Sequence, residues 1–382
     1  MQYSKRRKFF IAFICFIAVF FLSLGAIEIY FRYERPSLYL LDSELGWKIK
    51  PNFYRSFTQM SLDEKPYDID YSTNQLGLRT HGDFASAKIK LLVLGDSYTM
   101  ENYASNNDMW YSVLVDRLNS NESLKNNSPT TLTPGYFVWA GGGGGWGSYQ
   151  ELILLRRLLK QIRPDVFILQ FCDNDFVNNH QNWESTAITR SQIYRRPYLD
   201  LANQTHFSTD TLAPLWRIQF LGNSRLLNLF DILIQRIQAK YYKGFGPAID
   251  KKILDQYEIE SIAITENLLR LMRTELGDIP SYMVNCNPID VGPNRHWQDY
   301  ARKAGFIPLH LPSDSVLQLM RKEVAIHRDG LSGYDSYKSH LFIDGNHLNP
   351  AGNKTFGNAL ADELLQDPLF RKVLIQSQVP PT

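Results

Sequence analysis

Cysteine is scarce in this 382-residue chain: only Cys15, Cys172 and Cys286 are present. No C-x-x-C pair and no Cys/His cluster occurs, so spacing gives no sign of a structural zinc site. Cys172 and Cys286 read as small buried hydrophobes, with a disulfide between them as the alternative. Excess charge of one sign is missing too. The 41 basic and 39 acidic residues leave a net charge of +2. No basic stripe with interleaved aromatics follows, which argues against nucleic acid as a partner. Heptads and internal repeats are absent, and residues 141–145, all glycine, form the one low-complexity tract. Apolar residues are not in short supply. At 44% hydrophobic and 13% aromatic, the chain can bury a large core and does not read as disordered.

One long hydrophobic run exists, at the N-terminus. Lys5, Arg6, Arg7 and Lys8 precede 19 uncharged residues, 9–27. That is close to the roughly 20 needed to cross a bilayer as a helix. The cations should remain in the cytoplasm and leave the rest of the chain on the far side. A cleaved signal peptide, with Ser23 and Gly25 before the cut, is the alternative. The anchor is favoured because the run is long for a signal and ends in Arg32 and Arg35 after an aromatic, interfacial stretch. The expected organisation is a basic tail at 1–8, a membrane anchor at 9–31 and an irregular lead-in at 32–88. A catalytic domain at 89–370 with an insertion at about 176–255 follows, then a tail at 371–382.

From residue 89 apolar runs alternate with helical periodicity. Residues 89–94, 136–140, 166–171, 281–286 and 307–311 read as buried strands, continuous and apolar rather than alternating. Helices are expected near 109–118, 148–162, 259–276, 297–304, 315–323 and 349–365, and a further helix-like stretch falls at 226–241. Ser148 with Glu151 reads as a capping box, and Pro350 stands near the first position of the last helix. Strands separated by helices imply a parallel sheet in an α/β/α sandwich.

Chemistry-bearing residues fall just after the expected strands. LLVLGDSYT (91–99) carries an apolar strand into Gly-Asp-Ser, which leaves Ser97 at the carboxyl edge of the sheet, where open α/β sheets bind ligands. Far along the chain, 344–347 reads Asp-Gly-Asn-His. A serine hydroxyl is a poor nucleophile until a base takes its proton, and the base needs an orienting group. Ser97, His347 and Asp344 supply one of each. The oxyanion that forms needs donors already in place. The Ser97 N–H, the Gly142 N–H after the second strand and the Asn174 amide after the third are the candidates. Asp96 and Asp175 read as supporting residues that hold the turns. Each has an ordinary structural reading as well: Ser97 as a turn serine, Asp344 as a helix cap, Asn174 as a turn residue.

Taken together, these blocks resemble the SGNH or GDSL hydrolases. Gly95, Asp96 and Ser97 match the nucleophile block. GGGGWGSYQE (142–151) is similar to the oxyanion-glycine block, with Gly142 in the donor place. Asn174 and Asp175 match the Asn-Asp block, and Asp344 and His347 match D-x-x-H. Ala140 stands where the family has an asparagine and Cys172 where it has a glycine, which keeps Gly143 as an alternative donor. The resemblance spans about 89–365. It implies a flavodoxin-like α/β/α domain acting on esters through an acyl-enzyme, with no metal and no cofactor. No G-x-S-x-G elbow surrounds Ser97, in keeping with that family.

An exported, tethered hydrolase meets carbohydrates and lipids. Trp183, Tyr194, Tyr198 and Trp216 crowd the insertion among amides and arginines, a mix that suits sugars. The leading expectation is cleavage of O-acyl, such as O-acetyl, esters on an extracytoplasmic carbohydrate. An O-acyltransferase using the same acyl-enzyme and a non-catalytic glycan-binding or assembly protein are the alternatives. The expected partners are the ester substrate, an acylated glycan foremost, and the membrane through the N-terminal helix.

Overall fold

The computed structural model describes residues 2–34, 36–60, 65–100, 102–120, 135–186, 196–207, 224–227, 250–285, 296–310, 341, 343 and 347–378. The helix expected at 315–323 and most of the stretch at 226–241 lie outside these residues. So do Asp344, Cys286, Tyr194 and Trp216. The chain opens with helix α1 (Gln2–Glu34), which from Arg6 onward is long and apolar enough to cross a membrane. From Arg6 onward most of its side chains are exposed, Phe9 at 75% and Leu22 at 73%, and none is fully buried, so no protein core among the described residues accounts for its apolar surface.

The lead-in is not irregular. β1 (Tyr39–Asp42) and β2 (Gly46–Ile49) form one antiparallel hairpin, and β3 (Tyr54–Met60) and β4 (Pro66–Ser72) form another. β5 (Arg79–Gly82) joins the main sheet. The polar sequence conceals these strands because one face of each hairpin meets solvent. Along β3 every second residue is exposed, and Phe57 packs inward with Phe53, Ile69 and Tyr71. The first hairpin docks through Arg157, whose guanidinium grips Asp42 with two bonds of 2.8 and 2.7 Å.

The α/β alternation then proceeds largely as its periodicity predicts. It runs β6 (Ala87–Gly95), α2 (Trp110–Ser120), β7 (Gly135–Gly142), α3 (Ser148–Leu158) and β8 (Val166–Phe171). The insertion contributes α4 (Asn174–Asn178), α5 (Gln181–Thr186) and the hairpin β9 (Pro197–Leu199) with β10 (Thr205–Phe207). The alternation resumes with α6 (Lys251–Leu276), β11 (Ser281–Asn285), α7 (Trp297–Ala304) and a short β12 (Ile307–Pro308). It ends in α8 (Pro350–Gln366) and α9 (Pro368–Gln378). The expected tail at 371–382 is thus helical through Gln378, because Phe370 and Leu374 are apolar enough to dock into the core. Helix α3 starts one residue earlier than its capping box suggested. Gly147 is the N-cap and its N–H donates to the Gln150 side chain, which frees Ser148 and Glu151 to turn inward.

The six-stranded sheet runs β12-β11-β8-β6-β7-β5. The first five are mutually parallel, and β5 adds an antiparallel edge that a purely parallel reading lacked. Numbered along the chain, the parallel strands lie in the order 2-1-3-4-5, the flavodoxin-like arrangement, with its switch point between the first strand and the third. Side chains of β6 alternate between the two faces. Ile89, Leu91 and Val93 meet α2, α8 and α9, whereas Leu92 and Leu94 meet α3, α6 and α7. Helix α8 lies so close to α2 that a Cβ at Gly357 would come within 2.3 Å of the Trp110 carbonyl oxygen. Alanine normally strengthens a helix relative to glycine. Here Gly357→Ala should instead destabilise the fold by about 1–3 kcal/mol through overpacking, measured by urea denaturation.

Candidate active site

The candidate site occupies the switch point. Ser97 follows β6, Asn174 follows β8, and His347 precedes α8. The His347 Nε2 atom stands 3.0 Å from Ser97 Oγ, across 250 residues of chain. The rings of Tyr98 and Tyr103 flank the imidazole with centroids 4.7 and 5.8 Å away. The Ile343 N–H donates to the His347 carbonyl at 2.9 Å, and the Asn349 N–H donates to Leu341 at 2.8 Å. These two bonds fix the loop just before the helix. Asp344 lies outside the described residues.

A buried polar hub aligns the two halves. Gln170 interrupts the apolar strand β8, and its Oε1 accepts from the Thr99 hydroxyl at 2.6 Å and from Trp110 Nε1 at 3.1 Å. The Trp110 backbone N–H donates to Asn353 at 3.0 Å, and Asn353 donates in turn to the Leu348 carbonyl at 3.1 Å. The serine turn, helix α2 and the histidine loop therefore share one network. Its only sequence signal was a lone glutamine in an apolar run.

Asp96 is buried beneath the turn. It accepts from the Tyr98 N–H at 3.0 Å and from the Asn174 amide at 2.9 Å. Burial pushes its pKa up, against those two bonds. Asp175 is also buried and braces the next loop, accepting from the Cys172 N–H at 2.8 Å and the Ser148 hydroxyl at 3.2 Å. Cys172 is disulfide-bonded, with its partner outside the described residues. The small-hydrophobe reading fails because strand register brings Phe171 opposite Asn285, the residue before Cys286. Gly142 is the last residue of β7, and a Cβ there would lie 2.0 Å from the Gly95 carbonyl oxygen. Close strand approach thus demands glycine at 142 independently of any oxyanion. Gly143 is the first residue beyond the strand.

The glycine loop is clamped from two sides that the sequence reading did not connect. From the lead-in, the Gly144 N–H donates to the Tyr39 hydroxyl at 3.1 Å, and Trp47 Nε1 donates to the Gly144 carbonyl at 3.3 Å. From the insertion, buried Arg196 donates to Gln150 at 2.6 Å and to the Gly145 carbonyl, and it pairs with Glu184 at 2.8 Å. Trp183 packs against the core, and Tyr198 is buried with its hydroxyl on Glu184. Tyr198 is thus framework, whereas Trp183 is only partly buried.

No family model and no curated protein matches the chain. Among solved structures, similarity extends over 72% of this chain and 97% of the TesA chain, with a TM-score of 0.35 and 13% identity. It extends over 73% of this chain and 96% of a GDSL-like lipase from Parabacteroides merdae, with a TM-score of 0.33 and 13% identity. For a member of the lipolytic G-D-S-L family from Veillonella parvula the figures are 73%, 100%, 0.28 and 9%. The strand order by itself makes this a flavodoxin-like α/β/α sandwich.

Behind this candidate site lies Glu151, which is fully buried, with no hydrogen-bond partner for either carboxyl oxygen among the described residues. Burial and then the nearby charges of Asp175 and Asp96 push its pKa well up. The folded state thus retains a proton that the unfolded chain releases, so stability falls as pH rises above the ordinary glutamate value. Glu151→Gln removes that linkage. The variant should gain on the parent as pH rises from 5 to 8, with a slope of up to about 1.4 kcal/mol per pH unit, read from denaturation midpoints at each pH.

Proposed function

We propose that this protein is a membrane-tethered serine esterase that cleaves O-acyl groups, such as O-acetyl, from an extracytoplasmic carbohydrate. The observation that carries the reading is the 3.0 Å contact between His347 Nε2 and Ser97 Oγ at the carboxyl edge of the sheet. In this reading His347 takes the Ser97 proton as the oxygen attacks the ester carbonyl. The tetrahedral oxyanion is met by the Ser97 N–H, a glycine N–H of the 142–143 stretch and the Asn174 amide. That amide nitrogen carries two hydrogens. One is committed to Asp96, which sets the plane of the amide and leaves the second for the oxyanion. The imidazolium returns its proton to the leaving alkoxide, so the sugar hydroxyl departs and an acyl-enzyme remains. Water then attacks with the same base, releasing the acid and restoring Ser97. Asp344 is assigned as the carboxylate that orients the imidazole.

Location is supported by two separate features. The cations at 5–8 precede α1, which favours translocation of everything after it. Cys172 is disulfide-bonded, a state that persists in oxidising compartments.

Ser97→Ala should abolish turnover of p-nitrophenyl acetate and labelling by a fluorophosphonate probe while leaving the circular dichroism spectrum unchanged. Retained labelling at another serine would overturn the mechanism. Asn174→Ala should lower kcat by about 10²–10³, as loss of one oxyanion donor does elsewhere. An unchanged kcat would remove Asn174 from that role.

A further inference from the structure

A cavity of about 410 Å³ opens beside the candidate site, between the β3–β4 hairpin and residues 102–103. Its size falls in the range of small-molecule sites. It is separate from the reacting atoms but shares a wall with them. Tyr103 lines the cavity, and its ring lies 5.8 Å from the His347 ring.

The walls are held in place from behind. Fully buried Arg79 donates to the Ala104 carbonyl at 2.7 Å and to Asn106 at 2.9 Å, with its guanidinium 4.5 Å from the ring centre of Tyr71, which also lines the cavity. The Tyr67 hydroxyl donates to the Tyr103 carbonyl at 2.9 Å. Tyr103 is therefore fixed on both sides, by its own carbonyl and by that of the next residue.

The lining combines two chemistries. Phe53, Phe57 and Tyr103 supply aromatic surface, and Arg55, Gln59 and Asn102 supply polar groups. The Arg55 guanidinium sits 4.5 Å over the Phe57 ring. Among the described residues, neither the Arg55 nor the Asn102 side chain has a hydrogen-bond or ion-pair partner. An acyl chain in this cavity would take the half-buried Arg55 guanidinium out of water and give it nothing to bond, which is unfavourable. A sugar ring offers C–H faces to the aromatics and hydroxyls to the guanidinium and the amides.

We propose that this cavity is a carbohydrate subsite, holding a sugar of the acylated chain next to the one whose ester reaches Ser97. The inference rests on the esterase reading above and deepens it by naming where the glycan lies. It places glycan recognition in the N-terminal lead-in rather than in the insertion.

The test uses the full chain in detergent with partially O-acetylated cello- and chito-oligosaccharides as probes. Wild-type turnover of p-nitrophenyl acetate, too small to reach the cavity, checks the esterase reading separately. Absence of that turnover defeats the parent reading. With it present, Phe57→Ala and Asn102→Ala should each raise KM for at least one acetylated oligosaccharide about tenfold, the loss expected for one stacking or hydrogen-bonding contact. The value of kcat should stay within about twofold, since neither residue touches the reacting atoms. Asn102 is exposed, so its variant remains informative if Phe57→Ala fails to fold. Wild-type hydrolysis of p-nitrophenyl acetate but of neither oligosaccharide would overturn the subsite. So would unchanged KM in both variants. A rise in KM for p-nitrophenyl octanoate in place of the glycan would reassign the cavity to an acyl chain.

Discussion

The pairing of Ser97 with His347 depends on a buried hydrogen-bond network that begins at Gln170. Ser97 and His347 approach from opposite ends of the α/β domain, across 250 residues of chain, to stand 3.0 Å apart. Gln170 receives the serine turn through Thr99 and helix α2 through Trp110. Asn353 then receives Trp110 and supports Leu348, the residue after the histidine. Every link is buried, so breaking one leaves an unpaired polar group in a dry interior. The geometry of the candidate site is thereby coupled to the integrity of the sheet.

A second constraint acts on the glycine loop. Loops rich in glycine lose much conformational freedom on folding, and this one runs from 141 to 145 without a side chain to hold it. Its order comes from outside. Tyr39 and Trp47 reach it from the lead-in, and Arg196 reaches it from the insertion. Segments that seemed peripheral in the sequence thus complete the rim. The same lead-in supplies the hairpin that forms the neighbouring cavity, so the N-terminal strands belong to the site as much as the sheet does.

Burial of Asp96, Asp175 and Glu151 close together opposes ionisation of all three. Asp96 and Asp175 offset their burial with bonds to backbone N–H groups and side chains. Glu151 has none among the described residues, and its proton is what makes its burial tolerable. Unfavourable electrostatics of this kind commonly cluster behind functional sites, and here the cluster adjoins the amide of Asn174.

Much was legible from the sequence because it depends on local pattern. Val166–Phe171 and Trp297–Ala304 formed as their apolar runs and periodicity implied, and Gly-Asp-Ser after a strand marked the sheet edge. The hairpins of 39–72 were hidden because their outward faces are polar, and the helix that ends at Gln378 was hidden because it opens on Pro368, directly after the preceding helix, where a proline reads as a stop. Glu151 was read as part of a cap because a sequence gives spacing but not which way a helix turns its faces. By itself, the sequence determined the parallel strands, the main helices, the long apolar N-terminal helix and the candidate reacting groups, since each follows from neighbours within a few positions. Only the tertiary structure decided the order of the strands, the disulfide state of Cys172, the clamps on the glycine loop and the cavity beside His347. Those depend on side chains that meet across tens to hundreds of residues, and spacing along a chain does not encode that distance.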